Sequence, residues 1–311
     1  MSSSLSELFT RRALLVTGKG GVGKTTIAAT LARVAAAQGK RVLCTEVAAE
    51  GETSSPLGRA FGCPEASAEE PVVVAPGVRL LLLTPTAGHR QFLRDTVRLR
   101  FLADAAMKAS GIRAFLAAAP TFPEMGILYR FLDLVRQQRD DGSPAHELVI
   151  VDLPATGHAL AFAQFPAALL RLIPGGPVGA AVRDGLARVT DPAQTAAVVV
   201  TLCESLPVSE AIELVRGLVS TDVHVAAVIL NRLCRDPFDA EERAAVDGFV
   251  AAHAPLLGAR SLGRIDLGRA AVRRLQRERG RPIHLVEDAA EDGPRVPLTL
   301  AAGLLAGAVA P

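Results

Sequence analysis

The stretch GKGGVGKTT, Gly18 to Thr26, combines glycines, two lysines and two threonines in a spacing that suits phosphate chemistry. Gly18 to Thr25 satisfies G-x-x-x-x-G-K-[ST]. It directly follows an apolar run, ALLVTG, and directly precedes an alanine-rich one, TTIAATLARVAAAQG. Gly18, Gly20, Gly21 and Gly23 let the backbone wrap a phosphate, so that N–H groups point inward toward the positive end of the next helix. Lys24 would then reach the β- and γ-phosphates, and the Thr25 hydroxyl would ligate Mg²⁺. Gly18, Lys19, Gly20, Gly21, Val22, Gly23, Lys24, Thr25 and Thr26 are therefore the expected nucleotide-binding set. A glycine-rich turn that binds nothing would not need a strand before it and a helix after it. Lys19 is surplus to this chemistry. Only four of the 34 basic residues are lysines, Lys19, Lys24, Lys40 and Lys108, and two of them fall in this loop, which points to a chemical requirement.

A second acidic element supports the loop. Asp152 ends the apolar run ELVIVD, where a second anchor for Mg²⁺, direct or through water, is expected. The alternative is an aspartate capping the next turn. Gly157 and His158 follow in LPATGHALAF, where a glycine N–H can meet a γ-phosphate and swing away after hydrolysis.

These residues need a scaffold, and the apolar runs supply one. ALLVTG (13–18), RVLCTE (41–46), VRLLLLTP (78–85), ELVIVDLP (147–154), AAVVVTL (196–202) and VHVAAVILN (223–231) are continuous apolar stretches, as expected of parallel strands covered on both faces. SLGRI (261–265) and PIHLVE (282–287) are read as edge strands. Alternating strands and helices over this length predict a doubly wound α/β fold with a mostly parallel sheet, 1–311 forming one domain. Residues 86–146 are too long for a single crossover and read as several helices, including RQFLRDTVRLRFLADAAMKA and GILYRFLDLVRQQ. Residues 158–195 are apolar but broken by Pro166, Pro174 and Pro177. Both segments follow strands on the side of the phosphate loop, so they are expected to form one helical subdomain above it.

Composition narrows the class further. A net charge of +2 and no Lys/Arg block give no reason to expect nucleic acid. The start, MSSSLSELFTRR, lacks the apolar core of a secretory signal. PLTLAAGLLAGAVAP, from Pro297, is shorter than the ~20 residues that span a bilayer and reads as a C-terminal core helix. Cys44, Cys63, Cys203 and Cys234 form no CxxC pair, which suits a reduced, cytoplasmic protein, with a peripheral place at the membrane left open.

With these motifs in order, the chain resembles the ATPases with the KGGxGK[ST] form of the phosphate loop, which include the ParA/MinD proteins, the nitrogenase iron protein and the arsenite-pump ATPase ArsA. VDLPATGHALAFAQFP is similar to the ArsA branch, whose pattern is D-T-A-P-T-G-H before an apolar helix. That branch also holds the targeting ATPases for tail-anchored membrane proteins. NRL, Asn231 to Leu233, matches its adenine-contacting asparagine, and PTFPEMGILYRFLDL (120–134) is similar to its helical segment beginning P-G-x-x-E. The resemblance covers nearly the whole chain. It implies a dimer in which Lys19 reaches the partner's nucleotide, where a second positive charge would act as an arginine finger does.

Departures from the pattern also carry information. The family's switch aspartate aligns with Glu46 in CTEVAAEGETSSPLG. Glu46 can still position the attacking water or a Mg²⁺-bound one; the alternative is a structural hydrogen bond at a strand end. This glutamate resembles an actinobacterial-type subgroup whose members occur as neighbouring paralogues, so either a homodimer or a heterodimer with a paralogous subunit is implied. The targeting branch's CxxC and the pump's cysteine cluster have no counterpart, and the chain has one phosphate loop where the pump subunit has two. The expectation is a Mg²⁺-dependent ATP hydrolase, with Lys19, Lys24, Glu46 and Asp152 catalytic, acting as a dimeric switch for a hydrophobic or membrane-protein client. The alternatives are a subunit driving an anion pump, a MinD-like spatial organiser, and a scaffold that binds nucleotide without hydrolysing it.

Overall fold

A computed structural model of the chain describes residues 5–96, 122–154, 164, 166–167, 170–171, 175–253, 256, 258–278, 281–289 and 293–305. Among these residues are eight strands, β1 (Ala13–Gly18), β2 (Val42–Val47), β3 (Val72–Ala75), β4 (Val78–Leu83), β5 (Leu148–Asp152), β6 (Thr195–Leu202), β7 (Val225–Leu233) and β8 (Ile283–Glu287). They form one sheet in the order β3-β4-β2-β5-β1-β6-β7-β8. Every pairing is parallel except that of β3 with β4. From β1 the chain steps out to β2 and on to β3 and β4, returns to place β5 between β2 and β1, and then runs out on the other side through β6, β7 and β8. Ligands of such sheets bind at the strand carboxyl ends where the winding reverses.

Helices cover both faces, which is why the central strands are apolar on both sides. One face carries α1 (Lys24–Ala37), α2 (Pro56–Phe61) and α9 (Val296–Leu305). These pack Ile27, Leu31, Val34, Leu57, Phe61 and Ala301 onto alternate strand residues such as Leu14, Val16, Cys44 and Ile150. The other face carries α4 (Phe122–Arg136), α5 (Gly176–Thr190), α6 (Ser205–Val219) and α8 (Ala259–Arg277). Their Phe131, Leu132, Val182, Leu214 and Leu275 meet Leu15, Leu43, Val149 and Val199. Helix α1 is rich in alanine, and its small side chains let it lie close on the sheet. It ends with Gly39 N–H bonded to Ala36 and Lys40 N–H to Ala35, the paired closure that satisfies terminal carbonyls.

Among the described residues the other α-helices are α3 (Pro85–Thr96) and α7 (Ala240–His253). Helices α3 and α4 meet backbone to backbone: a Cβ on Gly88 would sit 1.8 Å from the Gly126 carbonyl oxygen, and one on Gly126 would sit 2.4 Å from that of Pro85. Only glycine fits either position.

Two expectations need correction. SLGRI (261–265) is not an edge strand; it lies inside α8, whose buried Leu262, Ile265, Ala271 and Leu275 recur at helical spacing. The strand β3 went unforeseen because Val72 and Val73 are exposed on the sheet edge beside Pro71. The edge strand at PIHLVE is present as β8, and the apolar C-terminal stretch contains helix α9. Of RQFLRDTVRLRFLADAAMKA, the residues up to Thr96 belong to α3 and the rest lie outside the described residues. No helix among the described residues is long and apolar enough to cross a membrane.

Candidate functional site

The phosphate loop leaves β1 at Gly18 and enters α1 at Lys24. Val22 anchors it by burying its side chain in the α1-side core, while Lys19, Gly20 and Gly21 are exposed. Gly23, directly before α1, adopts φ +91°, a left-handed conformation that favours glycine. Lys24 folds back over the loop, its ammonium donating to the Lys19 carbonyl at 3.0 Å. Partial burial lowers the Lys24 pKa, and the nearby Asp152 carboxylate opposes that shift.

Register brings two carboxylates next to this loop. In the parallel ladder, Asp152 on β5 lies beside Val16 on β1 and beside Glu46 on β2. The Thr25 hydroxyl donates to Asp152 Oδ2 at 2.5 Å. Asp152 Oδ1 is buried and has no hydrogen-bond partner. Burial pushes the Asp152 carboxyl up to about 6, the Thr25 hydrogen bond and Lys24 pull it down, and Glu46 adds a smaller upward push. Glu46 is buried too, and burial raises its pKa against hydrogen bonds from Ser55 and the Leu57 N–H. Its Oε2 accepts from Leu57 N at 2.9 Å, so this side chain holds the first turn of α2.

Lys19 and Asn231 behave differently. The Lys19 ammonium is ion-paired to Glu210 on α6, leaving its side chain 47% exposed. Asn231, near the end of β7, is buried, donates from Nδ2 to the Val22 carbonyl at 2.9 Å and accepts the Arg232 N–H on Oδ1 at 3.0 Å. Gly157 and His158 lie outside the described residues.

Beside the loop runs a cleft of about 530 Å³, whose lining includes Thr25, Thr26, Arg59, Asn231, Arg264 and Asp288. Its apolar contributions include Pro56, Val296 and Leu300. The C-terminal part of this lining was not anticipated from the sequence, because no motif marks the loop between β8 and α9. Glu210 was missed likewise, since nothing in SLPVSEAIELV announces which glutamate meets the loop.

The deciding comparison is at the level of family. Residues 13–274 match the family described as the CobQ/CobB/MinD/ParA nucleotide binding domain. The chain belongs to that family.

Named relatives narrow the kinship to the group that holds arsenical-pump and GET3-type ATPases. The chain is 31% identical to "ATPase BagA" of Mycobacterium tuberculosis over 222 residues, which cover 70% of this chain and 64% of that one. It is 31% identical over 172 residues to the "Arsenical pump-driving ATPase" of Acidiphilium multivorum, covering 54% of this chain and 27% of the relative. It is 24% identical over 264 residues to "ATPase GET3" of Lachancea thermotolerans, covering 75% of each. The chain thus spans just under two thirds of the length of the BagA-type relatives it matches.

Proposed function

We propose that this chain is a Mg²⁺-dependent ATPase that works as a nucleotide-driven dimeric switch. The observation that carries the reading is the meeting of Lys24, Thr25 and Asp152 at one glycine-rich loop, with a cleft of about 530 Å³ whose lining includes Thr25 and Thr26. The names of the BagA, arsenical-pump and GET3 relatives support ATP hydrolysis as the activity.

The residues present fit a magnesium ion. Asp152 offers a buried oxygen without a partner, and Thr25 places its hydroxyl against the same carboxylate. Hard oxygen donors of this kind are what Mg²⁺ accepts. When bound, the ion would neutralise charge between the β- and γ-phosphates. The chain's own groups would do the rest: loop N–H groups cradle the phosphates, Lys24 screens their charge, and Glu46 and Asp152 at the strand ends orient water. Lys19 is the group for a partner subunit's site, whether that partner is a second copy or a paralogue. The helical segments 86–146 and 158–195 would form the subdomain that responds, presenting a surface to a hydrophobic or membrane-protein client.

Phosphate release from ATP by the purified chain, with and without Mg²⁺, tests the reading. Turnover that requires Mg²⁺ and disappears in Lys24→Ala is the expected result. Full-rate turnover in Lys24→Ala would refute it. A subunit that drives an anion pump is the second reading, favoured by the arsenical-pump relatives, and stimulation of that turnover by arsenite would select it.

A further inference from the structure

Asn231 lines the cleft and is turned toward the phosphate loop. A Cβ built on Gly23 would lie 2.4 Å from Asn231 Nδ2, so the amide lies flush against the loop where it has no side chain. Nδ2 holds the Val22 carbonyl, and Oδ1 is fixed by the N–H of Arg232, itself at φ +57°. Val22 is therefore held at both ends, its side chain in the core and its carbonyl on Asn231.

The peptide unit explains what this achieves. In a trans peptide the C=O and the following N–H point in opposite directions. Turning the Val22 carbonyl onto Asn231 turns the Gly23 N–H away from Asn231 and fixes the direction in which the loop offers it. A primary amide has two N–H groups and two acceptor positions, and one of each is used within the chain. One donor and one acceptor remain for a base in the cleft.

We propose that Asn231 is a positioning residue for phosphate binding: it sets the phosphate loop by holding the Val22 carbonyl, independently of any contact with the base. The inference rests on the nucleotide reading above. It assigns Asn231 a share in the affinity for the triphosphate itself, and it makes Asn231 the link by which an occupied loop is felt in the cleft.

A ligand without a base separates this role from base contact. Calorimetry would compare Mg²⁺·ATP with Mg²⁺·tripolyphosphate on the wild-type chain, Asn231→Asp and Asn231→Ser. Asn231→Asp sets a carboxylate against the Val22 carbonyl, and Asn231→Ser removes the bond without adding charge. Both should weaken tripolyphosphate and ATP in parallel, Asn231→Asp by about tenfold or more. Unchanged tripolyphosphate binding with weakened ATP binding would overturn the proposal and leave Asn231 as a base contact. Failure of the wild-type chain to bind ATP at all would instead sink the nucleotide reading. If both variants fail to fold, the wild-type chain decides it. On addition of Mg²⁺·tripolyphosphate, the Asn231 side-chain amide resonances should shift, and resonances that stay in place would overturn the proposal.

Discussion

The Thr25 hydroxyl sits 2.5 Å from one oxygen of Asp152, while the other oxygen of that carboxylate is buried without a partner. A buried acceptor in that condition costs about 1–3 kcal/mol. Burial has also raised the Asp152 pKa from 3.8 to about 6, so the charged form is unfavourable in the folded chain. Its contribution therefore opposes stability above pH 6, and the opposition fades as pH falls from 6 toward 4. Asp152→Asn should raise the Tm of the chain without Mg²⁺ at pH 7–8, while abolishing Mg²⁺-dependent ATP turnover. Chelation with EDTA should silence the wild type and leave its fold intact. Calorimetric melting and phosphate release together check this. A lower Tm in Asp152→Asn would show that the carboxylate is structural.

A separate pH effect belongs to the opposite end of the sheet. His146, two residues before the strand β5, is buried, and burial together with Arg79, Arg12 and Arg41 lowers its pKa from 6.5 to about 4. The folded chain thus holds this imidazole neutral where the unfolded chain would protonate it. Its contribution is complete above pH 6.5 and is lost as pH drops through that value toward 4. Allowing for solvent screening, the loss is on the order of 1–2 kcal/mol. His284 and His224 are shifted the same way by burial and add to the slope. Denaturant midpoints measured from pH 7 to pH 4 should fall, and less steeply in His146→Gln. Equal slopes would remove His146 from the account.

The pairing of α3 with α4 rests on two glycines. Alanine at position 126 would press against the Pro85 carbonyl 2.4 Å away and crowd His89 Nε2 at 3.0 Å. Overpacking of this kind costs about 1–3 kcal/mol. The helix preference of alanine over glycine returns up to about 1 kcal/mol. Gly126→Ala should therefore be destabilising by chemical denaturation despite its better helix propensity. A more stable Gly126→Ala would mean the two helices separate easily.

Much of the sheet was readable because a parallel strand buried on both faces must be a continuous apolar run. ALLVTG, VRLLLL and ELVIVD leave no other assignment near their length. The same rule failed at SLGRI, where five residues are too few to separate a strand from one turn and a half of helix. The pattern that decides it, Leu262, Ile265, Ala271 and Leu275, runs across fourteen positions of α8. The phosphate loop was legible because its chemistry is local. The adjacency of Glu46 and Asp152 was not, since it depends on strand register between β2 and β5. The cleft wall from Arg264, Asp288 and Val296 depends likewise on where the chain returns after β8.

The pairing of Lys19 with Glu210 bears on how a dimeric site would assemble. In the single chain the surplus lysine is engaged by its own helix α6, and its side chain is about half exposed. Exposed ion pairs contribute about 0–1 kcal/mol, so the pair is cheap to break when another anion competes. A triphosphate carries more negative charge than one carboxylate, and a closing partner would draw Lys19 away from Glu210. Lys19→Ala should then lower turnover and remove its dependence on protein concentration, with the unfolding free energy changed by less than about 1 kcal/mol. Glu210→Gln should act in the opposite sense, raising turnover at low protein concentration because Lys19 no longer has to leave a partner. Rate against concentration for the wild type and both variants, with oligomer size by light scattering, distinguishes the cases. If Lys19→Ala keeps both wild-type turnover and wild-type association, Lys19 is an ordinary surface lysine and the site is complete within one chain.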